Sequence, residues 1–205
     1  MKLYLTRHGE TEWNVEKRLQ GWGDSPLTEN GVARAHSFKE LVADVKFDKI
    51  YASDQKRAVD TANIIKNNRE IKVIELPELR ELAFGDWEGR TVADIKSTES
   101  ELFDIYLNDP LLYKPNSGET ISELFKRAEK ALDKIVENEG ENVLVVSHGV
   151  TIRAIITLLK NLGIDDYKEI PVYPGASLNI FEKSENGWVG IVEGDISHFN
   201  DTIEE

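Results

Sequence analysis

Leu3-Tyr4-Leu5-Thr6-Arg7-His8-Gly9-Glu10 passes abruptly from an apolar run to a cation, an imidazole and a glycine. Leu3 to Thr6 is short, apolar and β-prone, and reads as a buried strand. Groups placed directly off the carboxyl end of such a strand face a crevice, where open α/β sheets bind their ligands. The imidazole can serve there as nucleophile, base or metal ligand. The guanidinium beside it offers a planar fork suited to phosphate or carboxylate. An isolated Arg-His-Gly more often holds a histidine that merely ends a strand, so its meaning depends on partners elsewhere in the chain.

A second copy of the device lies far downstream. Asn142-Val143-Leu144-Val145-Val146-Ser147 is a continuous apolar run, as expected of a central parallel strand covered on both faces. It ends in His148-Gly149 and continues into Val150-Thr151-Ile152-Arg153-Ala154-Ile155-Ile156, a helical pattern. If the two strands are neighbours, two imidazoles share one crevice. No His-x-His pair or paired carboxylates accompany either histidine, and cysteine is absent, so no metal site is expected. The third element is Arg57. Ser53-Asp54 follows the strand-like Ile50-Tyr51-Ala52 and reads as a helix N-cap, with Ala58, Thr61, Ala62 and Ile65 spaced for one buried face. Arg57 then falls in the first helical turn, where free N–H groups and the helix dipole already favour an anion. Arg7, Arg57 and the two histidines together make a phosphate clamp.

Cleavage of a phosphate ester by an imidazole also needs a proton donor for the departing alkoxide, and a carboxyl group can supply it. Glu81, in Glu78-Leu79-Arg80-Glu81-Leu82 after the strand-like Lys72-Val73-Ile74-Glu75, is one candidate among 38 acidic residues, and composition does not single it out.

The motifs run in a recognisable order. Leu5-Thr6-Arg7-His8-Gly9-Glu10-Thr11, Asn14, Gln20-Gly21-Trp22 and Asp24-Ser25-Pro26-Leu27-Thr28 are followed by Ser53-Asp54, Arg57 and Thr61-Ala62. Leu79-Arg80-Glu81, Gly85-Asp86-Trp87-Glu88-Gly89, Gly118-Glu119-Thr120 and Val146-Ser147-His148-Gly149 complete the series. This pattern resembles the histidine phosphatase superfamily, which includes the cofactor-dependent phosphoglycerate mutases. Within it the chain looks most like the bacterial broad-specificity phosphatases, as does the ending Val192-Glu193-Gly194-Asp195-Ile196-Ser197-His198. The resemblance implies that His8 is phosphorylated, that Arg7, Arg57 and His148 hold the phosphoryl oxygens, and that Glu81 acts as acid and then base. Asn14, Gln20, Gly21 and Gly149 are expected at the substrate site. No cofactor is implied. Phosphoryl transfer has a loose transition state, so such a site works mainly by alignment and charge balance.

Composition fits this expectation. At 205 residues the chain can form one α/β domain, 1–205, and bury about 70% of its unfolded surface. No apolar run approaches the roughly 18 residues of a membrane span. The first strand starts so early that no room is left for a signal peptide, and with no cysteine a cytoplasmic location is expected. A net charge of −13 disfavours nucleic acid and anionic membranes, leaving small phosphate esters as partners and the oligomeric state open. It also obliges the site to create its own positive field.

Strands and helices alternate. Val32, Ala35, Phe38, Leu41, Val42 and Val45 form a helical stripe, and Asp48-Lys49-Ile50-Tyr51 reads as a strand. Thr120 and Glu123 make a capping box for a helix with the face Leu124, Ala128, Ala131, Leu132, Ile135. Ser177-Leu178-Asn179-Ile180-Phe181 and Trp188-Val189-Gly190-Ile191-Val192 flank Ser184-Glu185-Asn186-Gly187, a hairpin signal. The expected fold is a three-layer α/β sandwich of phosphoglycerate mutase-like type, with a mainly parallel sheet, an antiparallel edge and a small cap insertion at 82–116. His36 reads as a solvated surface histidine, and His198 as one that packs or bonds locally.

Leu82 to Lys114 holds Phe84, Trp87, Phe103, Tyr106 and Tyr113 but only Arg90, Lys96 and Lys114 as cations. Mutases of the family carry extra cations here, an Arg-His-Tyr-Gly run after the catalytic glutamate, and asparagine after the second His-Gly. This chain has Leu82-Ala83-Phe84-Gly85 and Val150 at those places. Hydrolysis of phosphate monoesters by a metal-independent route is therefore the leading expectation. The alternatives are a mutase, a phosphatase dedicated to a sugar bisphosphate or a cobamide-precursor phosphate, and an inactive phospho-ligand-binding module.

Overall fold

The computed structural model describes residues 1–138 and 140–199, so the last residues of the expected 1–205 domain lie outside the described residues. Its frame is one six-stranded sheet in the order β3-β2-β4-β1-β5-β6. The strands are β1 (Lys2–Arg7), β2 (Lys49–Ala52), β3 (Val73–Glu75), β4 (Asn142–Ser147), β5 (Leu178–Ser184) and β6 (Gly187–Asp195). β1 pairs with β4, β4 with β2 and β2 with β3, all parallel. β5 and β6 add an antiparallel edge beside β1. The hairpin expected from Ser184 to Gly187 is present, with Ser184 paired to Gly187 and the glycine at φ +116, although both strands extend beyond the apolar core of the signal.

Strand periodicity sorts the side chains into two cores. Leu3 and Leu5 of β1 and Val143 and Val145 of β4 pack on one side, with α6 (Ile121–Glu137) and α7 (Gly149–Leu159). Tyr4, Leu144 and Val146 face the other side, against α2 (Glu29–Leu41) and α3 (Lys56–Lys66). The result is a helix–sheet–helix sandwich. The capping box at Thr120 and Glu123 is formed. α2 stops at Leu41, whose side chain is 41% exposed, so the stripe drawn to Val45 ends early; Val42 and Val45 pack from the turn that follows.

Between β3 and α6 the chain holds only short pieces. α4 (Val92–Thr98) and α5 (Ser100–Asn108) lie among 3-10 turns at Pro77–Leu79, Gly85–Trp87 and Pro110–Leu112. Trp87, Phe103 and Tyr113 are buried there, with Trp87 ringed by the other two and by Tyr106 at centroid distances of 5.3 to 6.1 Å. α1 (Glu12–Val15) follows β1 with its own capping box, Thr11 to Asn14.

Candidate active site

The register of β1 on β4 pairs Arg7 with Ser147, so His8 and His148 leave adjacent strand ends side by side. Their rings lie 5.1 Å apart, and both residues are buried. The two strands are neighbours, so the two His-Gly strand ends converge.

Hydrogen bonding fixes the state of His8. Nδ1 lies 2.7 Å from the Gly9 carbonyl oxygen, which can only accept, so Nδ1 carries the proton. Nε2 is then the lone-pair nitrogen, and Arg57 Nε donates to it at 3.3 Å. Burial, then the charges of Arg57 and Arg7, hold the His8 pKa well below its ordinary value, so the ring is neutral. Gly9 is itself pinned, its N–H donating to Thr61 Oγ1 at 3.0 Å.

Arg57 stands in the first turn of α3, as expected, but the N-cap is Gln55 rather than Ser53-Asp54. Ser53 Oγ accepts from Gln55 N, while the Asp54 carboxylate is taken up by both sides of the Arg80 guanidinium fork. The buried Arg57 guanidinium donates to Gly23 O at 2.7 Å, Asp24 Oδ1 at 3.0 Å and Gly21 O at 2.9 Å. Gln20 and Gly21 thus belong to a loop held in place by the clamp arginine. Asn14 Oδ1 accepts from the Thr11 backbone and hydroxyl, which leaves its amide nitrogen for the cavity it lines.

His148 is the N-cap of α7, and neither of its buried ring nitrogens has a protein partner; the same holds for Arg7 Nε. Burial, followed by the nearby Arg57, His8 and Arg7, depresses the His148 pKa strongly. Buried polar atoms without partners at the head of a helix are what an anion would satisfy.

Glu81 occupies an unexpected position. Its carboxylate caps α7 from a distant loop: Oε1 accepts from Leu82 N at 3.0 Å and Thr151 N at 3.1 Å, and Oε2 from Val150 N at 3.2 Å. Glu81 lines the same cavity as Arg7, His8, Asn14, Gln20, Gly21, Arg57 and Gly149. The cavity measures about 190 Å³. Every sequence-derived site residue except His148 lines it, and the His148 ring packs against that of His8.

Four further lining residues, Arg18, Leu19, Val150 and Val172, are not among those expected from the sequence. Of the five aromatics between Leu82 and Lys114, only Phe84 and Tyr106 reach the cavity; Trp87, Phe103 and Tyr113 are buried in the core shared with α6 and α7. Arg90 is spent on Asp94, Glu99 and Thr98, and Lys96 lies over Phe103. Gln55 is likewise absent from the expected set. Its side chain joins the two halves of the site, donating to Gly21 O at 2.8 Å and accepting from Glu81 N at 3.0 Å. Its partners are 34 and 26 residues away, so no local signal marks it. His36 is exposed, and His198 bonds to Ala176 O at 2.9 Å and packs on Phe38. Among the described residues no three His, Asp or Glu side chains group as metal ligands would, and no helix is long and apolar enough to cross a membrane.

The sequence model of the histidine phosphatase superfamily (branch 1) matches residues 3–195. The chain belongs to the histidine phosphatase superfamily. It is 34% identical, over 78% of its length and 79% of the relative's, to the adenosylcobalamin/alpha-ribazole phosphatase of Escherichia coli K12. It is also 34% identical to a probable phosphoglycerate mutase GpmB of Proteus mirabilis, over 98% of this chain and 96% of that one. The solved structure of Bacillus stearothermophilus YhfR superposes with a TM-score of 0.92 at 41% identity, covering 97% of this chain and 98% of that one. The mutase-like histidine phosphatase fold expected from the sequence is thus the fold adopted.

Proposed function

We propose that this histidine phosphatase is a metal-independent phosphomonoester hydrolase that works through a phosphohistidine on His8. The observation that carries the reading is the geometry of His8: Nδ1 is bonded to the Gly9 carbonyl, which leaves the Nε2 lone pair turned to Arg57. A phosphoryl group placed against Nε2 takes over the Arg57 donor, which is held by a single long bond of 3.3 Å. Arg7 and His148 supply further donors from atoms that have no protein partner. Charge on the transferring group is then balanced by fixed donors.

The first step forms the Nε2–P bond and breaks the P–O bond to the leaving group, whose oxygen takes a proton from Glu81. Oε2 is the oxygen for that proton, because Oε1 already accepts two backbone N–H bonds and Oε2 only one. In the second step water breaks the Nε2–P bond, and Glu81, now ionised, takes the water's proton.

Hydrolysis is preferred to mutase chemistry because of the cavity wall. Val150, Val172, Leu19, Phe84 and Tyr106 line it, and Arg18 is its single cation beyond Arg7 and Arg57. A second phosphate or carboxylate would find few donors, and stripping water from an unpaired charge is costly. The relatives named for alpha-ribazole phosphatase and for GpmB mark the two directions specificity could take, and the apolar wall favours broad use of small monoesters. A cytoplasmic enzyme of phosphorylated metabolites fits this reading. The test is phosphate release from a panel of phosphorylated metabolites, with and without bisphosphoglycerate. Release from several monoesters without bisphosphoglycerate is expected; interconversion of phosphoglycerates that depends on it would make the chain a mutase.

A further inference from the structure

A proton donor must be aimed as well as present, and Glu81 sits on a segment with no ladder of its own. It lies between the 3-10 turns Pro77–Leu79 and Gly85–Trp87, outside any helix or strand. Side chains from elsewhere hold this backbone. Trp22 Nε1 donates to Glu81 O at 2.9 Å, and Thr151 Oγ1 to Arg80 O at 2.7 Å.

The densest support comes from α6. Arg127 Nη1 donates to Glu78 O at 2.9 Å and Arg80 O at 2.7 Å, and Nη2 to Glu81 O at 3.1 Å. Its remaining donors meet the Glu119 carboxylate, Nε to Oε1 at 2.8 Å and Nη2 to Oε2 at 2.7 Å. All five N–H groups of the guanidinium are thereby used. Glu119 closes the bracket on the other flank of Glu81: its Oε2 accepts from Ala83 N at 3.0 Å, and its own N–H donates to Ala83 O at 2.8 Å. Both side chains are largely buried, and neither lines the cavity.

We propose that Arg127, oriented by Glu119, is a positioning residue for the acid–base steps, holding residues 78 to 83 so that the Glu81 carboxyl group meets the leaving oxygen. The proposal rests on the hydrolase reading above. Three carbonyls turned toward one planar fork are a demand that a lysine ammonium meets poorly. A shift of about 1 Å in a reacting group can cost about 100-fold in rate. The displacement falls on the proton donor and not on His8, whose support comes from Gly9, Thr61 and Arg57.

The consequence is a loss that depends on the leaving group. An alkoxide needs the proton; p-nitrophenolate hardly does. Arg127→Gln should lower kcat/KM for an alkyl monophosphate such as 2-glycerophosphate by about 100-fold, and for p-nitrophenyl phosphate by less than about 5-fold. Arg127→Lys and Glu119→Gln should show the same split at about 10-fold on the alkyl ester. In a Glu81→Gln background, Arg127→Gln should cost nothing further on the alkyl ester, because the group it aims is gone. Equal losses on both esters, or losses that multiply in the Glu81→Gln background, would overturn the assignment. Should Arg127→Gln fail to fold, the presence or absence of the split in Arg127→Lys and Glu119→Gln, measured at unchanged Tm, decides between the same two outcomes. Failure of the unaltered protein to release phosphate from either ester would instead overturn the hydrolase reading itself.

Discussion

Two buried neutral histidines make stability fall as solution turns mildly acidic. His8 and His148 have folded-state pKa values pushed well below the ordinary 6.5, in each case by burial first and neighbouring positive charge second. Below about pH 6.5 the unfolded chain takes up protons that the folded chain refuses, so stability is full above that value and is lost as pH falls through it. For a group titrating at about 6.5 unfolded and far lower when folded, moving from pH 7.5 to 5.5 costs about 1.4 kcal/mol. The pair should cost about 2.7 kcal/mol, a large part of a typical stability of about 5–15 kcal/mol. His198, held down by partial burial, acts in the same direction. Carboxylates such as Glu78, lowered by its bond to Lys134, titrate below this window. Urea denaturation at pH 7.5, 6.5 and 5.5 measures the effect, and His148→Gln should remove about half of it. A stability that stays level across the window, or a His148→Gln variant that keeps the full slope, would refute the claim that both rings are held neutral.

Glu81→Gln keeps the shape of the side chain but removes its proton; kcat/KM should fall by about 100-fold or more for alkyl phosphates and far less for p-nitrophenyl phosphate. Equal losses would redirect the search for the acid to Asp86 or Glu88. Chelators should leave the rate unchanged, since Arg7 and Arg57 supply the positive field; activity recovered only on adding a divalent ion would contradict this. Aryl monophosphates should exceed 3-phosphoglycerate and fructose bisphosphates in kcat/KM, because Phe84, Tyr106, Val150 and Val172 offer apolar surface worth about 25 cal/mol per Å² buried. A bisphosphate favoured by tenfold would point to a dedicated metabolic enzyme.

What is legible in the sequence is whatever rests on local pattern. The apolar runs before His8 and His148 announce central strands, and the strand-end position of each imidazole follows from them. The first-turn place of Arg57 follows from the spacing of Ala58, Thr61, Ala62 and Ile65, even though the cap residue is Gln55. What stays hidden is long-range. Glu81 caps α7 across 69 and 70 residues of chain, and no pattern near either end records that bond. Arg127 looks like any charge on an amphipathic helix until its carbonyl partners come into view. The aromatics from Phe84 to Tyr113 show the same limit: composition predicts a cluster, but only packing separates the two that face the cavity from the three that face inward. Asp54 looks like a cap because the local pattern does not show Arg80, which claims its carboxylate.

The central claim is that phosphate passes through His8, and trapping the intermediate tests it most directly. Mixing the protein with p-nitrophenyl phosphate, quenching in alkaline denaturant and mapping the peptides should place one acid-labile, alkali-stable phosphate on His8. His8→Ala should lose both that label and turnover, since no other group is placed for in-line attack. Turnover without a labelled His8 peptide, or more than a few percent of activity kept by His8→Ala, would contradict the account.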